Sequence, residues 1–128
     1  MTEIRHAFPV MTYDIDFAGV VSNLTYIRWL EDLRNLFAAR SLPLGVAMQR
    51  GIVPVLMRTE IDYLAPVRFP DTVAGRMWLS EWGRARFILA AEFARQSDGV
   101  SVAKARQTGA FVALATQRPV RLPDEYTR

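Results

Sequence analysis

Two carboxylates, Asp14 and Asp16, stand just before a glycine turn at Gly19, and an apolar helical pattern begins at Asn23. The first turn of a helix presents backbone N–H groups without intrahelical acceptors, together with a partial positive charge. Such groups can polarise a carbonyl and stabilise the oxyanion that forms when it is attacked. A nearby carboxylate can act as general base or nucleophile. The spacing indicates acyl-transfer chemistry; the alternative is that both acids are ordinary turn residues.

The composition excludes several other kinds of site. The chain has 128 residues, no cysteine and a single histidine, His6. It therefore has no thiolate nucleophile, no disulfide and no multi-histidine metal site, and a Ser-His-Asp triad could only run through His6. We expect neither a metal nor a cofactor.

Arginine dominates the basic residues, with fifteen arginines against one lysine and a net charge of +3. The arginines are scattered among acids, whereas a nucleic-acid binder gathers them on one stripe. We therefore expect no nucleic-acid partner. Dispersed arginines suit a small ligand that carries phosphates, although a genomic composition bias explains them equally well.

No apolar run approaches the roughly 18 residues that span a bilayer, so we expect no membrane insertion. The first six residues lack the apolar stretch of a signal peptide, and the expected compartment is the cytoplasm.

The hydrophobic periodicity changes along the chain. A strand is predicted over 8–14, and a helix follows from 23 to about 40, with Ser22 or Asn23 as its N-cap. Apolar residues occur on so much of this helix that we expect burial on most sides; they are Leu24, Tyr26, Ile27, Trp29, Leu30, Leu33, Leu36 and Phe37. A short helical turn is predicted near 45–50. Strands are predicted at 57–63, 72–82, 85–96 and 100–116, the last bent at Gly109, and residues 117–128 form a C-terminal tail.

This order predicts a single α+β domain over 1–128, in which an antiparallel five-stranded sheet wraps around one long central helix. The helix covers the concave face, while the other face carries charged residues and meets water. An open sheet edge invites pairing, so we expect a dimer joined edge to edge.

The same residues resemble a known family, the hot-dog-fold acyl-CoA thioesterases, in the branch named for 4-hydroxybenzoyl-CoA thioesterase. That branch carries two acids, a glycine, two aliphatic residues and then a helix rich in Trp, Glu and Arg, matched here by Asp14, Asp16, Gly19, Val20, Val21, Tyr26, Trp29, Glu31 and Arg34. A second stretch, residues 61–68, matches an aromatic residue followed by a proline and a basic residue. The resemblance covers roughly residues 8–115.

The resemblance implies roles for five residues in this segment. Asp16 attacks the thioester carbonyl or activates water, and the backbone N–H of Asn23 polarises that carbonyl. Gly19, Val21 and Tyr26 contact the substrate. The family's active sites lie between subunits, which implies a homodimer or homotetramer with an acyl-CoA substrate.

Two further arginines, Arg84 and Arg86, flank a predicted turn and could pair with the phosphates of coenzyme A; they are equally consistent with a solvated hairpin end. The predicted activity is hydrolysis of an acyl-CoA thioester. The alternative is a non-catalytic hot-dog module that binds acyl-CoA or a protein. The hydratase branch of the fold needs an Asp and a His five residues apart, and the sequence has no such pair.

Overall fold

One antiparallel sheet and one long helix form the fold, in a computed structural model that describes residues 2–128. The strands are β1 (Glu3–Pro9), β2 (Ile52–Tyr63), β3 (Thr72–Trp82), β4 (Arg86–Arg95) and β5 (Ser101–Ala113), and the helices are α1 (Asn23–Ser41) and α2 (Leu44–Gln49). The sheet order is β1-β3-β4-β5-β2, and every neighbouring pair is antiparallel. The predicted architecture is confirmed.

Helix α1 begins at Asn23 because Ser22 caps it. The Ser22 Oγ accepts a hydrogen bond from the Thr25 N–H at 3.2 Å, which satisfies one of the free donors of the first turn. The helix packs into the concave face of the sheet through a single stripe of buried residues: Tyr26, Trp29, Leu30, Leu33, Phe37 and Ala38.

The expectation that α1 is buried on most sides is wrong. Leu24, Ile27 and Leu36 are 75%, 43% and 37% exposed. One sheet can cover only one side of a helix, and within residues 2–128 no second layer packs on the other side. Three apolar side chains therefore face outward.

The first strand lies earlier than predicted. Strand β1 spans Glu3–Pro9, whereas residues 12–14 of the predicted strand form a 3₁₀ turn. Residues Glu3, Arg5 and His6 are polar, but they belong to an edge strand whose apolar contacts are Ile4 and Phe8. A half-buried edge strand needs only these two apolar residues.

The convex face of the sheet carries the charged residues, as predicted. Arg76 donates to Glu3 Oε1 and to Glu92 Oε2, both at 2.9 Å, and its guanidinium lies 4.4 Å from the centre of the Trp78 ring. Arg106 pairs with Glu81 across the same face. These contacts leave the concave face mainly to apolar side chains, with Gln107 as a buried polar exception.

The predicted bend at Gly109 takes another form. Strand β5 is continuous, and the irregularity lies in its partner β2, where the pairing shifts between Leu56 and Arg58 opposite Gly109. A Cβ at Gly109 would lie 2.5 Å from Cζ of Phe87 and 2.8 Å from the carbonyl oxygen of Val55. Only glycine fits between that ring and the neighbouring backbone.

The predicted C-terminal tail packs against the domain. Leu122 and Tyr126 are 6% and 3% exposed, and a 3₁₀ turn spans Asp124–Tyr126. The Tyr126 ring lies 5.2, 5.3 and 4.8 Å from the rings of Phe37, Phe87 and Phe111. This segment therefore closes one end of the space between α1 and the sheet.

Candidate active site

The turn before α1 holds Asp16 at the surface. The Oδ1 of Asp16 accepts from the Ala18 N–H at 2.8 Å, and its carbonyl accepts from the Gly19 N–H at 2.9 Å. Gly19 has φ +78°, a left-handed conformation that glycine adopts without cost. Within residues 2–128 the Oδ2 of Asp16 has no hydrogen-bond partner. One carboxylate oxygen thus fixes the turn, and the other is free.

Asp14, two residues earlier, has a structural position. It is 4% exposed, and its Oδ2 accepts from the Met11 N–H at 2.8 Å. Its carbonyl oxygen accepts from the Ser22 N–H at 2.9 Å and from the Thr25 hydroxyl at 3.0 Å. Asp14 therefore ties the acidic turn to the start of α1 and sets the position of Asp16 relative to the helix.

The N-terminus of α1 opens onto a cleft of about 270 Å³. Of the sequence-predicted site residues, Val21, Asn23 and Tyr26 line it, whereas Asp16 and Gly19 lie in the preceding turn and do not. The Asn23 N–H finds no acceptor in the part of the chain that the structure describes, as expected for the first residue of a helix. It is available to a ligand carbonyl.

The opposite wall of the cleft is the segment from Tyr63 to Val67, part of the stretch 61–68 that resembles the family but for which no site residue was predicted. The Val21 N–H donates to the Val67 carbonyl at 2.8 Å, which joins the two walls. Tyr63 Oη donates to the Asn23 carbonyl at 3.4 Å. The aromatic residue and proline of residues 61–68 were the signal for this wall, but only the fold places them beside α1.

Tyr26 forms the apolar floor of the cleft. It is 3% exposed, and its ring lies 5.6 Å from that of Tyr63. Burial raises the pKa of the Tyr26 hydroxyl to about 12, and the neighbouring Tyr63 adds to the rise. Its hydroxyl therefore stays protonated in the alkaline range as well as at pH 7, so the floor of the cleft carries no charge.

Arg84 and Arg86 lie elsewhere. Both are exposed at the β3–β4 connection, and Arg86 lines a separate cleft of about 190 Å³ together with Trp82 and Phe87. Within one chain, the structure does not bring these arginines to the cleft beside Asn23.

Over residues 2–128, no group of three His, Asp or Glu side chains is arranged to hold a metal ion. No helix in the same range is long and apolar enough to cross a membrane.

Comparison with known proteins defines the class. A family model described as the thioesterase-like superfamily matches residues 10–128. The chain belongs to this superfamily. No curated protein sequence matches it significantly.

Solved structures show the same hot-dog fold. The 1,4-dihydroxy-2-naphthoyl-CoA thioesterase from Synechocystis superposes with a TM-score of 0.88 at 20% identity, covering 98% of this chain and 93% of that one. YbaW, a probable thioesterase from Escherichia coli, gives a TM-score of 0.86 at 24% identity, covering 95% and 92%. The Staphylococcus aureus protein SAV2348, in complex with CoA, gives a TM-score of 0.89 at 15% identity, covering 98% and 80%.

Proposed function

We propose that this chain hydrolyses the thioester bond of an acyl-CoA, releasing a free acid and coenzyme A. The observation that carries the proposal is the unpartnered N–H of Asn23 at a helix N-terminus, one glycine turn away from a carboxylate with a free oxygen. Membership of the thioesterase-like superfamily supports it. So do similar structures described as CoA thioesterases or as complexes with CoA.

The chemistry requires only groups that this chain supplies. The Asp16 carboxylate accepts a proton from water while the water oxygen bonds to the thioester carbon. The carbonyl oxygen becomes an oxyanion and accepts a hydrogen bond from the Asn23 N–H, aided by the helix dipole. When the intermediate collapses, the C–S bond breaks and the thiolate takes the proton from Asp16.

In the alternative form of the step, Asp16 attacks the carbonyl carbon itself. The thiolate leaves, a mixed anhydride forms, and water hydrolyses it. Both forms use the same two groups. In either one, Gly19 lets the turn approach the substrate, and Val21 and Tyr26 line its path.

Replacement of the proposed base tests the assignment. We expect Asp16→Asn to fold normally and to lose activity by roughly a hundredfold or more, because its amide neither accepts the proton nor attacks the carbonyl. The measurement is kcat/KM on a panel of aliphatic and aromatic acyl-CoAs. Asp124→Asn is the matched control, since Asp124 is also exposed and lies in the C-terminal segment.

Asp14→Asn is a poorer control, because Asp14 is buried and accepts a backbone N–H. Equal turnover by the Asp16 variant and the native chain would exclude Asp16 as base or nucleophile. Binding of acyl-CoA by the native chain without turnover would favour the non-catalytic module.

We propose that Arg84 and Arg86 hold the phosphates of coenzyme A. Both side chains are exposed, and within residues 2–128 neither forms an ion pair. Arginine forks match phosphate oxygens. Arg84→Ala/Arg86→Ala should raise KM with little change in kcat, because phosphate contacts are made equally in the ground and transition states.

The effect should shrink at high salt, where exposed charges are screened. Arg118→Ala/Arg121→Ala removes two other exposed arginines and should leave KM unchanged. An unchanged KM in the Arg84/Arg86 variant would place the phosphates elsewhere.

We further propose that the active form is a homodimer or a larger homo-oligomer. Phe17, directly after Asp16, is fully exposed, and Leu24 is 75% exposed in the first turn of α1. Large apolar side chains grouped around a polar site mark a surface that a partner covers. Because Asp16 does not line the cleft of its own chain, a second copy would complete the wall around the substrate.

A further inference from the structure

A second cavity, of about 220 Å³, lies between α1, α2, β2, β4 and the C-terminal segment. It is separate from the cleft at the helix N-terminus and shares none of its lining residues. Most of its wall is apolar, formed by Leu44, Pro54, Leu56, Phe87, Leu89 and Tyr126. The polar side chains at its wall are Glu31, Arg34 and Asn35.

Arg34 is the unusual member of this wall, because it is half-buried and no carboxylate pairs with it. Among residues 2–128 no Asp or Glu oxygen lies within 4.0 Å of its nitrogens, including those of the exposed Glu31. Its hydrogen bond runs from Nη1 to Oε1 of Gln107, at 2.8 Å. Burial lowers the pKa of Arg34, although Glu31 and Tyr126 act in the opposite direction.

Gln107 fixes the guanidinium from behind. It is 1% exposed and does not line the cavity. Its Nε2 donates to Thr59 Oγ1 at 3.1 Å, so its amide oxygen must point at Arg34. The guanidinium of Arg34 is thus held through a single nitrogen, Nη1. The N–H groups of Nε and Nη2 have no acceptor in the described part of the chain.

A cation withdrawn from water is costly unless an anion or several hydrogen bonds compensate it. The remaining donors of a guanidinium form a planar fork that matches the two oxygens of a carboxylate. Apolar walls beside that fork would cover a hydrocarbon or aromatic body. The cavity volume equals that of about seven water molecules at ~30 Å³ each, so the hydrocarbon or aromatic part of the ligand must be small.

We propose that this cavity binds a small amphipathic carboxylate, with its carboxylate on Arg34 and its apolar body against Phe87, Leu89 and Tyr126. The ligand is a free carboxylic acid, because Arg34 lies eleven residues, about 16 Å, along α1 from Asn23, farther than a short acyl chain extends from its thioester. The proposal therefore does not rest on the proposed thioesterase function.

Binding is tested with benzoate and hexanoate by calorimetry, against benzamide and hexanamide as neutral isosteres. We expect the acids to bind at least tenfold more tightly than the amides, and Arg34→Gln to remove that preference. Arg40→Gln is the matched control, because Arg40 is exposed on the same helix. This variant should keep the preference for acids over amides. Equal binding of acids and amides, or an acid preference that survives Arg34→Gln, would overturn the proposal.

A measurement on the native chain covers the case in which Arg34→Gln does not fold. The ¹⁵N-labelled Arg34 Nε–H resonance should shift as benzoate is added, and the Arg40 resonance should not. A fixed Arg34 resonance at saturating benzoate would overturn the proposal.

Kinetics test whether this cavity is independent of the proposed active site. We expect Arg34→Gln to affect kcat/KM for adipyl-CoA and hexanoyl-CoA equally, because neither acyl chain extends from Asn23 to Arg34. A loss for adipyl-CoA alone would show that the cavity takes the end of the acyl group and would overturn a free carboxylic acid as the ligand. Acid binding without any thioester turnover would contradict the proposed hydrolysis and leave the binding site established.

Discussion

Asp14 and Asp16 are two residues apart, yet their carboxylates have opposite surroundings. Asp14 is buried and accepts a backbone N–H, whereas Asp16 is exposed and keeps one oxygen free. A carboxylate committed to holding the backbone cannot also reach a substrate. The spacing in the sequence indicates that one of the two carboxylates could act in catalysis. Their burial shows which one, and that burial depends on where the chain turns, which the spacing does not determine.

Two buried tyrosines make stability depend on pH in the alkaline range. Burial raises the pKa of Tyr26 and of Tyr126 to about 12, from about 10 in the unfolded chain. The folded state therefore keeps two protons that the unfolded state releases. Their contribution is complete below pH 10 and is lost as the pH rises to about 12. At about 1.4 kcal/mol per pKa unit, it amounts to roughly 2–3 kcal/mol for each tyrosine.

Urea unfolding at pH 9, 10 and 11 should show the native chain losing stability more steeply than Tyr26→Phe/Tyr126→Phe. Tyr13→Phe is the control, since Tyr13 is 72% exposed and should leave the slope unchanged. A native slope no steeper than that of the double variant would contradict the prediction.

At the scale of elements, Gly109 determines how β2, β4 and β5 fit together. A methyl group there would meet Phe87, whose ring is held between Phe111 and Tyr126, and the backbone oxygen of Val55. Neither neighbour can move without disturbing the core. We expect Gly109→Ala to lower the free energy of unfolding by about 1–3 kcal/mol, measured by chemical denaturation.

Gly83→Ala provides the comparison, because no atom lies within 4 Å of the added methyl group. Its effect should stay within about 0.5 kcal/mol. If Gly109→Ala unfolds with the same free energy as the native chain, the Phe87 ring moves aside without cost and the prediction is contradicted.

The elements that could be predicted from the sequence are those whose ends are marked by turn or capping residues. Strand β3 was predicted with its observed bounds, 72–82, because Pro70-Asp71 and Gly83 mark both ends. The start of α1 was predicted from its capping residues. The packing of Tyr126 against Phe37, Phe87 and Phe111 was not, because those residues come from three distant parts of the chain. The same holds for the Arg34–Gln107 contact, which joins residues 73 apart.

At the scale of the whole molecule, β2 is the edge that we expect to pair with a second copy. It contains Pro54, which a strand tolerates at an edge, and it exposes Leu56 and Met57 by 44% and 50%. The other edge, β1, is shorter, with seven residues against twelve in β2. A shorter edge strand offers fewer unpaired backbone groups to a second copy.

Met57→Lys should therefore shift the protein towards a monomer in sedimentation velocity at micromolar concentration, and thioesterase activity should fall with it. Leu114→Lys is the control, because Leu114 is 40% exposed and lies beyond the end of β5. A native chain that sediments as an active monomer at the same concentration would contradict both the edge pairing and the shared site.

The strand order has a consequence for how the chain folds. Strands β3, β4 and β5 are consecutive in both sequence and sheet, so this three-stranded meander can form through short hairpins. The two edge strands instead pair with residues far away in the sequence: Glu3 of β1 with Trp78, and Ile52 of β2 with Ala113. Such distant pairings must first close long loops, which places folding in the slower range of milliseconds to seconds. Until both edges and α1 are in place, the apolar concave face is open to water, and newly made chains are most prone to aggregate in that interval.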